Sequence, residues 1–371
     1  MLDSIRIENF KIFRDFHLEL RPLTVLTGFN SAGKSTVMQA ILLANLACKS
    51  SAVPLNGPYG LTLGGAFDVL NRRASEPEIR FTLVTRALEE LIRLTVPDDD
   101  RAVLLSARTS SRDAGREPLI LGIDAYLSAE RLGPRDLLEV PPSHDGGIDI
   151  GERGQFTAHV LAERERMKVN SQLLHPGTRA AITLSGQVEA WLSDLVRPIR
   201  VQATWLPATN AAMIRFRDAP ASSEASPDLV ETEVPADWMR PSNVGFGLSY
   251  ALPIVVAGLT ARPNSIFMVE NPEAHLHPAG QSKIGHFLAL VASSGVQTIV
   301  ETHSEHVVNG IRLAIAKHRN IAPELAVFHF FGDSPSMLSV SSTGAMSDWP
   351  LGFFDQAETD LSALARIKRS S

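Results

Sequence analysis

The chain has 371 residues, 44% of them hydrophobic, a formal net charge of −6 and a single cysteine. That length and composition allow two or three compact units, and one cysteine excludes an intrachain disulfide and a cysteine-based zinc site. The charge gives no global attraction to nucleic acid, so such binding would need a local patch, a dimer groove or a partner. No apolar run is long enough to span a bilayer, and Asp3, Arg6 and Glu8 do not fit a signal peptide, which leaves a reducing cytoplasm as the simplest placement and no membrane contact.

Ile5, Ile7 and Phe10 lead into Lys11-Ile12-Phe13, and Phe16, Leu18 and Leu20 then alternate with His17 and Glu19. This pattern predicts a pair of strands forming a β-rich flap. Leu23-Thr24-Val25-Leu26-Thr27 reads as a buried strand. It runs into Gly28-Phe29-Asn30-Ser31-Ala32-Gly33-Lys34-Ser35, which fits the phosphate-loop pattern G-x-x-x-x-G-K-[ST]. Residues 36–48, free of Gly and Pro, read as the helix that follows, with Cys48 a small buried apolar residue on it. In such a loop the glycines let backbone amides converge on a polyphosphate, and the helix N-terminus adds partial positive charge. Lys34 would meet the β- and γ-phosphates, and Ser35 would ligate Mg²⁺.

Residues 50–74 read as surface loops and residues 79–85 as a strand. Residues 87–94 fit either a strand or a short helix. Residues 97–118, with Asp98, Asp99, Asp100, Arg108, Arg112, Asp113 and Arg116, read as a polar excursion. Residues 119–123 predict a strand leading to a loop with Arg131 and Arg135, where the arginines either face phosphate or are solvated turn residues. Residues 156–168 and 179–196 read as helices broken by Leu174-His175-Pro176-Gly177, and neither sustains heptads. Residues 200–204 and 212–216 read as strands, and 219–235 as a loop or flap.

Asn243-Val244-Gly245-Phe246-Gly247-Leu248-Ser249 precedes an apolar helix over 250–259, a start suited to anions or a simple cap. A buried strand over 265–269 ends at Glu270-Asn271-Pro272-Glu273-Ala274-His275-Leu276-His277-Pro278. A carboxylate at that strand end is where a nucleotide-bound Mg²⁺ needs one. A helix over 284–291 follows, then a strand over 298–300 ending at Glu301-Thr302-His303-Ser304-Glu305-His306. Three strand ends are thus expected on one sheet edge. His275, His277, His303 and His306 have spacings open to a metal, but His303 near phosphate and His275 and His277 holding their loop is the preferred reading. Residues 328–331 and Val340 read as further strands, and the basic end over 360–371 as a frayed tail.

These motifs, with the opening Ile7-Glu8-Asn9-Phe10-Lys11-Ile12-Phe13, resemble the compact bacterial ABC-type AAA ATPases related to the OLD, RecF and SMC proteins. Asp348-Trp349-Pro350-Leu351-Gly352-Phe353-Phe354-Asp355-Gln356 is similar to the tail of a compact subgroup whose C-terminal domain has no settled function. The resemblance implies an α/β P-loop head with a mixed sheet, a β-rich N-terminal flap and an inserted helical and loop lobe. Its parts would be residues 1–85, an inserted 86–235, and 236–371. It implies ATP and Mg²⁺ as cofactors, bound by Gly28, Asn30, Ser31, Ala32, Gly33, Lys34, Ser35 and Thr36. Asn243, Gly245 and Gly247 would be the signature that meets ATP on a second subunit, Glu270 the Walker B acid beside Ser35 at the metal, and His303 the switch histidine. A homodimer closing around ATP and gating an effector in trans follows, with anti-phage defence as context. A nucleotide-sensing module that clamps DNA or a protein is the alternative.

Asn271 departs from the family pattern, because many relatives place a glutamate there. An amide holds a water but does not take its proton, and general-base help is typically worth 10²–10⁴-fold, about 3–5 kcal/mol. Either Glu273 or another group supplies the base, or hydrolysis is slow. A GTPase would show Asn-Lys-x-Asp after a strand, and none is present.

Overall fold

A computed structural model describes residues 1–111, 117–142, 148–219, 238–318 and 321–370. Arg112, Asp113, Arg116 and nearly all of the expected flap over 219–235 lie outside the described residues.

Period-2 alternation builds the first hairpin, β1 (Ser4–Phe10) and β2 (Phe13–Glu19), which buries Ile5, Ile7, Phe10, Phe13 and Leu18 on one side. The uninterrupted apolar run of β3 (Leu23–Gly28) instead enters a parallel sheet covered on both faces. After it come α1 (Lys34–Lys49), β4 (Ala52–Pro54), α2 (Ala66–Val69), β5 (Glu78–Val84), β6 (Glu89–Thr95) and β7 (Leu104–Ser111). β8 (Ile123–Leu127), β9 (Leu137–Glu139), α3 (Thr157–Glu163), α4 (Leu184–Leu195), β10 (Ile199–Leu206) and β11 (Ala211–Asp218) follow. The last part runs α5 (Phe246–Thr260), β12 (Ile266–Glu270), α6 (Pro278–Ser293), β13 (Gln297–Glu301), α7 (Glu305–His318), β14 (Ala326–Phe331), β15 (Pro335–Leu338) and α8 (Gln356–Ser370).

The strands pair into an antiparallel sheet ordered β2-β1-β5-β6-β7-β4, a small sheet β10-β11-β9, and the central sheet β15-β14-β3-β13-β12-β8. In the central sheet only the β14–β15 pair is antiparallel. α1 lies between the two large sheets. Val37, Ile41 and Leu42 share a core with Ile7, Phe81 and Ile92 on one side and with Leu26, Met268 and Ile299 on the other. Cys48 is buried in that core. The opposite face of the central sheet, with Val25, Phe267, Val269 and Val300, packs on α4, α5, α6 and α7 in a second core. Among the described residues, no helix is long and apolar enough to cross a membrane.

Several local expectations change. The 87–94 ambiguity resolves as strand β6, because Ile92 and Leu94 alternate inward against β5. The polar excursion over 97–118 contains β7, whose Leu105 and Ala107 reach the core. The expected boundary at residue 86 falls inside the antiparallel sheet, and β8 joins the central sheet beside β12. The segment that pairs among its own strands therefore begins at β9. The C-terminal end is a helix, α8, on which Leu361, Leu364 and Ile367 are exposed. Val340 makes an isolated bridge to Met346 in place of a strand.

Candidate nucleotide site

β3 delivers the chain to a turn in which Gly28 (φ 124°) and Gly33 (φ 110°) occupy the left-handed side of backbone space that other residues resist. A side chain on Gly28 would also collide with the Phe331 backbone, against which the loop is pinned by Phe29 N–H donating to Phe331 O at 2.9 Å. Gly33 caps α1 without a side-chain bond, which leaves the amides of the first turn open to an anion. Asn30 and Ser31 are exposed on the loop, Ala32 is half-buried, and Thr36 is buried on α1. Lys34 Nζ curls back to donate to Gly28 O at 3.1 Å and Phe29 O at 2.6 Å. Burial lowers its pKa, and the Glu301 carboxylate opposes that shift.

β3, β13 and β12 are adjacent and parallel, so their C-terminal ends open on one edge. The residue beside Ser35 is Glu301. Ser35 Oγ donates to Glu301 Oε1 at 3.0 Å, while Glu301 Oε2 is buried with no partner. Burial, reinforced by the Glu270 carboxylate, pushes the Glu301 pKa up to about 7. Glu270, the expected Walker B acid, faces the other way. Its Oε1 accepts from the Tyr126 hydroxyl at 2.8 Å and its Oε2 from Ala129 N–H at 3.2 Å, both on the β8 side. Burial raises its pKa.

Arg131 is 2% exposed and braces this corner without facing a phosphate. Its guanidinium donates to Ser128 O at 3.0 Å, Glu270 O at 2.6 Å and Asn271 O at 2.6 Å, and lies 5.5 Å from the Tyr250 ring centroid. Burial lowers its pKa to about 10. Arg135 is exposed.

Asn271 takes φ 44°, donates its N–H to Glu301 O at 2.8 Å and has a buried Oδ1 with no partner. Glu273 is engaged at both oxygens, by the Thr302 hydroxyl and by His303 N–H, each at 2.8 Å. His303 is solvent-accessible yet partly desolvated by its neighbours, and that desolvation together with the Lys34 ammonium lowers its pKa, which favours the neutral ring. His275 packs at a tilt against Tyr250 and Phe246, with ring centroids 4.3 and 5.3 Å away. His277 Nδ1 accepts from Ala279 N–H at 3.4 Å at the start of α6. Both therefore hold their loop.

Asn243 ends a single turn of 3₁₀ helix, Gly245 caps α5, and both are exposed. Gly247 packs so tightly that a Cβ would lie 2.9 Å from His275 O. The rest of α5 packs on α3, α4, α6, β8 and β12.

An ammonium, open helix amides, the Ser35 hydroxyl and an unpartnered carboxylate oxygen on Glu301 together fit a triphosphate with a divalent cation. Sequence reasoning missed Glu301 and Tyr126. Glu301, like Glu270, is a carboxylate that ends a buried strand, and that is the signal that marks it.

The family comparisons agree with this geometry. A model described as "AAA ATPase domain" matches residues 1–112, and one described as "AAA domain, putative AbiEii toxin, Type IV TA system" matches residues 218–309. The Old nuclease of Escherichia phage P2 is 21% identical over 364 residues, covering 86% of this chain and 60% of the relative. The OLD nuclease of Thermus scotoductus is 24% identical over 335 residues, covering 82% of this chain and 59% of the relative. These similarities support an OLD/SMC-like ABC-type ATPase class for the chain.

It spans about three-fifths of the length of these two nucleases. An Smc head domain with an extended coiled coil, bound to the C-terminal domain of ScpA from Pyrococcus furiosus, shares its fold. That structure has a TM-score of 0.50 and 11% identity, with 99% of each chain covered. The two AAA matches cover the parts of the chain that converge on the site, the phosphate loop in the first and the Glu270 and His303 strand ends in the second.

Proposed function

We propose that the chain binds ATP with Mg²⁺, hydrolyses it slowly, and uses the bound state to close a homodimer that licenses an effector in trans. The carrying observation is the convergence of Lys34, Ser35, Glu301, Asn271 and His303 on the ends of three adjacent parallel strands. Gly28 to Thr36 would wrap the phosphates, with Lys34 leaving its two loop carbonyls for the β- and γ-phosphates. Mg²⁺ would supply charge neutralisation on the phosphate oxygens, with Ser35 and the Glu270–Glu301 pair as its protein neighbours. The exposure of Asn243 and Gly245 supports a signature that meets ATP held by a second chain. The names of the curated relatives make a nuclease the favoured effector chemistry, with anti-phage defence as context and a cytoplasmic placement.

Slow turnover is supported by Asn271 and Glu273. The first has no proton-accepting group, and the second already has both oxygens bonded to Thr302 and His303. This favours a switch over a motor. The same observation favours a second reading, a nucleotide-sensing clamp on DNA or protein with almost no hydrolysis.

Light scattering of wild type and Lys34→Ala with and without Mg-ATP, with phosphate release followed in parallel, tests the proposal. Mass doubling in wild type alone supports it. Unchanged mass removes the sandwich, and fast steady-state release removes the switch. Asn271→Glu separates the two readings: a jump in turnover marks a deliberately slowed ATPase, and no change places the base elsewhere.

A further inference from the structure

Two buried carboxylates, Glu270 and Glu301, are register partners on neighbouring parallel strands at the sheet edge that faces the phosphate loop. Their surroundings differ. Glu270 has a donor on each oxygen, the Tyr126 hydroxyl and Ala129 N–H. Its backbone carbonyl and that of Asn271 are held by Arg131. Glu301 is 5% exposed, with one oxygen on Ser35 Oγ and the other buried without a partner. A buried carboxylate oxygen with nothing to accept from is costly, and a divalent cation beside Ser35 would satisfy it. Ser35 is already in place to share that cation.

We propose that Glu301 is the acidic residue of the divalent-cation site, acting with Ser35 beside the triphosphate, and that Glu270 is a positioning carboxylate that ties β12 to β8. The assignment rests on the ATP reading above and changes which carboxylate serves the metal. Glu270 holds the Ala129 end of the loop after β8, and so the Arg131 brace beneath Asn271. Glu301 holds the Walker A serine. A cation between Ser35 and Glu301 would also offset the electrostatic repulsion between the two carboxylates and lie on the Lys34 side of the site, where Glu301 and Lys34 already interact.

The test is a titration of Mg²⁺ into each protein with a fluorescent, non-hydrolysable ATP analogue, read as nucleotide binding, with affinity in EDTA measured alongside. Thermal unfolding confirms that each variant is folded. Glu301→Gln is expected to shift the Mg²⁺ midpoint upward by about 10–100-fold while affinity in EDTA stays near wild type. Glu270→Gln is expected to leave the midpoint near wild type and, by weakening the bonds to Tyr126 and Ala129, to lower thermal stability instead. If Glu301→Gln does not fold, Glu301→Asp keeps the charge but withdraws it from Ser35. An upward shift then supports the assignment, and an unchanged midpoint overturns it. A midpoint that moves with Glu270→Gln and not with the Glu301 variants overturns it as well. Wild-type protein that binds no nucleotide in either buffer overturns the ATP reading and this inference together, whereas normal Mg²⁺-dependent binding by the Glu301 variants overturns this inference alone.

Discussion

Glu273 fixes the position of His303: Glu273 Oε1 accepts the His303 backbone N–H at 2.8 Å while its other oxygen takes the Thr302 hydroxyl. A residue that looks from sequence like a spare general base is a strut between the loop after β12 and the turn after β13. Glu273→Ala removes two hydrogen bonds to a charged acceptor. Loss of about 1.5–3 kcal/mol in urea unfolding is expected, with ATP turnover falling as His303 loses its support. Unchanged stability with a fall in turnover alone would instead mark Glu273 as the base.

Lys34 is buried with its ammonium on two carbonyls of its own loop, and burial lowers its pKa. The charged form is therefore held at a cost in the absence of phosphate. Lys34→Met is expected to leave the nucleotide-free protein at least as stable as wild type by thermal unfolding. ATP binding, read by fluorescence titration, should be lost.

Cys48 sits in the core around α1, where burial pushes its pKa from 9.0 up to about 12. The folded thiol keeps its proton longer than the unfolded one. Its contribution to stability is therefore complete below pH 9 and is lost as pH rises through about 12. At pH 8 the thiolate fraction is about a thousandfold lower than in the unfolded chain. Reaction with a disulfide reagent at that pH should be slow in buffer and fast in denaturant. Fast reaction in buffer would mean the helix is not packed as described.

Phe353, in the C-terminal Trp349-Pro350-Leu351-Gly352-Phe353-Phe354 run, is fully buried, edge-on to Trp349 at 4.7 Å and to Phe330 at 5.4 Å. Phe330 in turn lies 5.7 Å from Phe29, whose carbonyl holds Lys34. The tail is thus an aromatic wall behind the phosphate loop. Phe353→Ala is expected to cost about 3–5 kcal/mol and to weaken ATP binding more than a comparable core truncation far from the loop, such as Phe216→Ala. Equal effects on binding would show that the wall supports stability alone.

The sequence alone determined the parts of this protein that depend on near neighbours in the chain. The strand, glycine turn and helix over residues 23–49 were legible because they are consecutive, and the strands that end at Glu270 and just before His303 because each is a buried apolar run. The α8 helix was missed because a polar amphipathic end reads equally well as a frayed tail. Tertiary structure decided what depends on strand order and register. β13 inserts between β3 and β12, and that placement puts Glu301 on Ser35 and sends Glu270 to Tyr126. Ser35 and Glu301 are 266 positions apart. No periodicity or local motif encodes which of two strand-end carboxylates will face the loop, because that choice follows from non-local pairing in a buried parallel sheet.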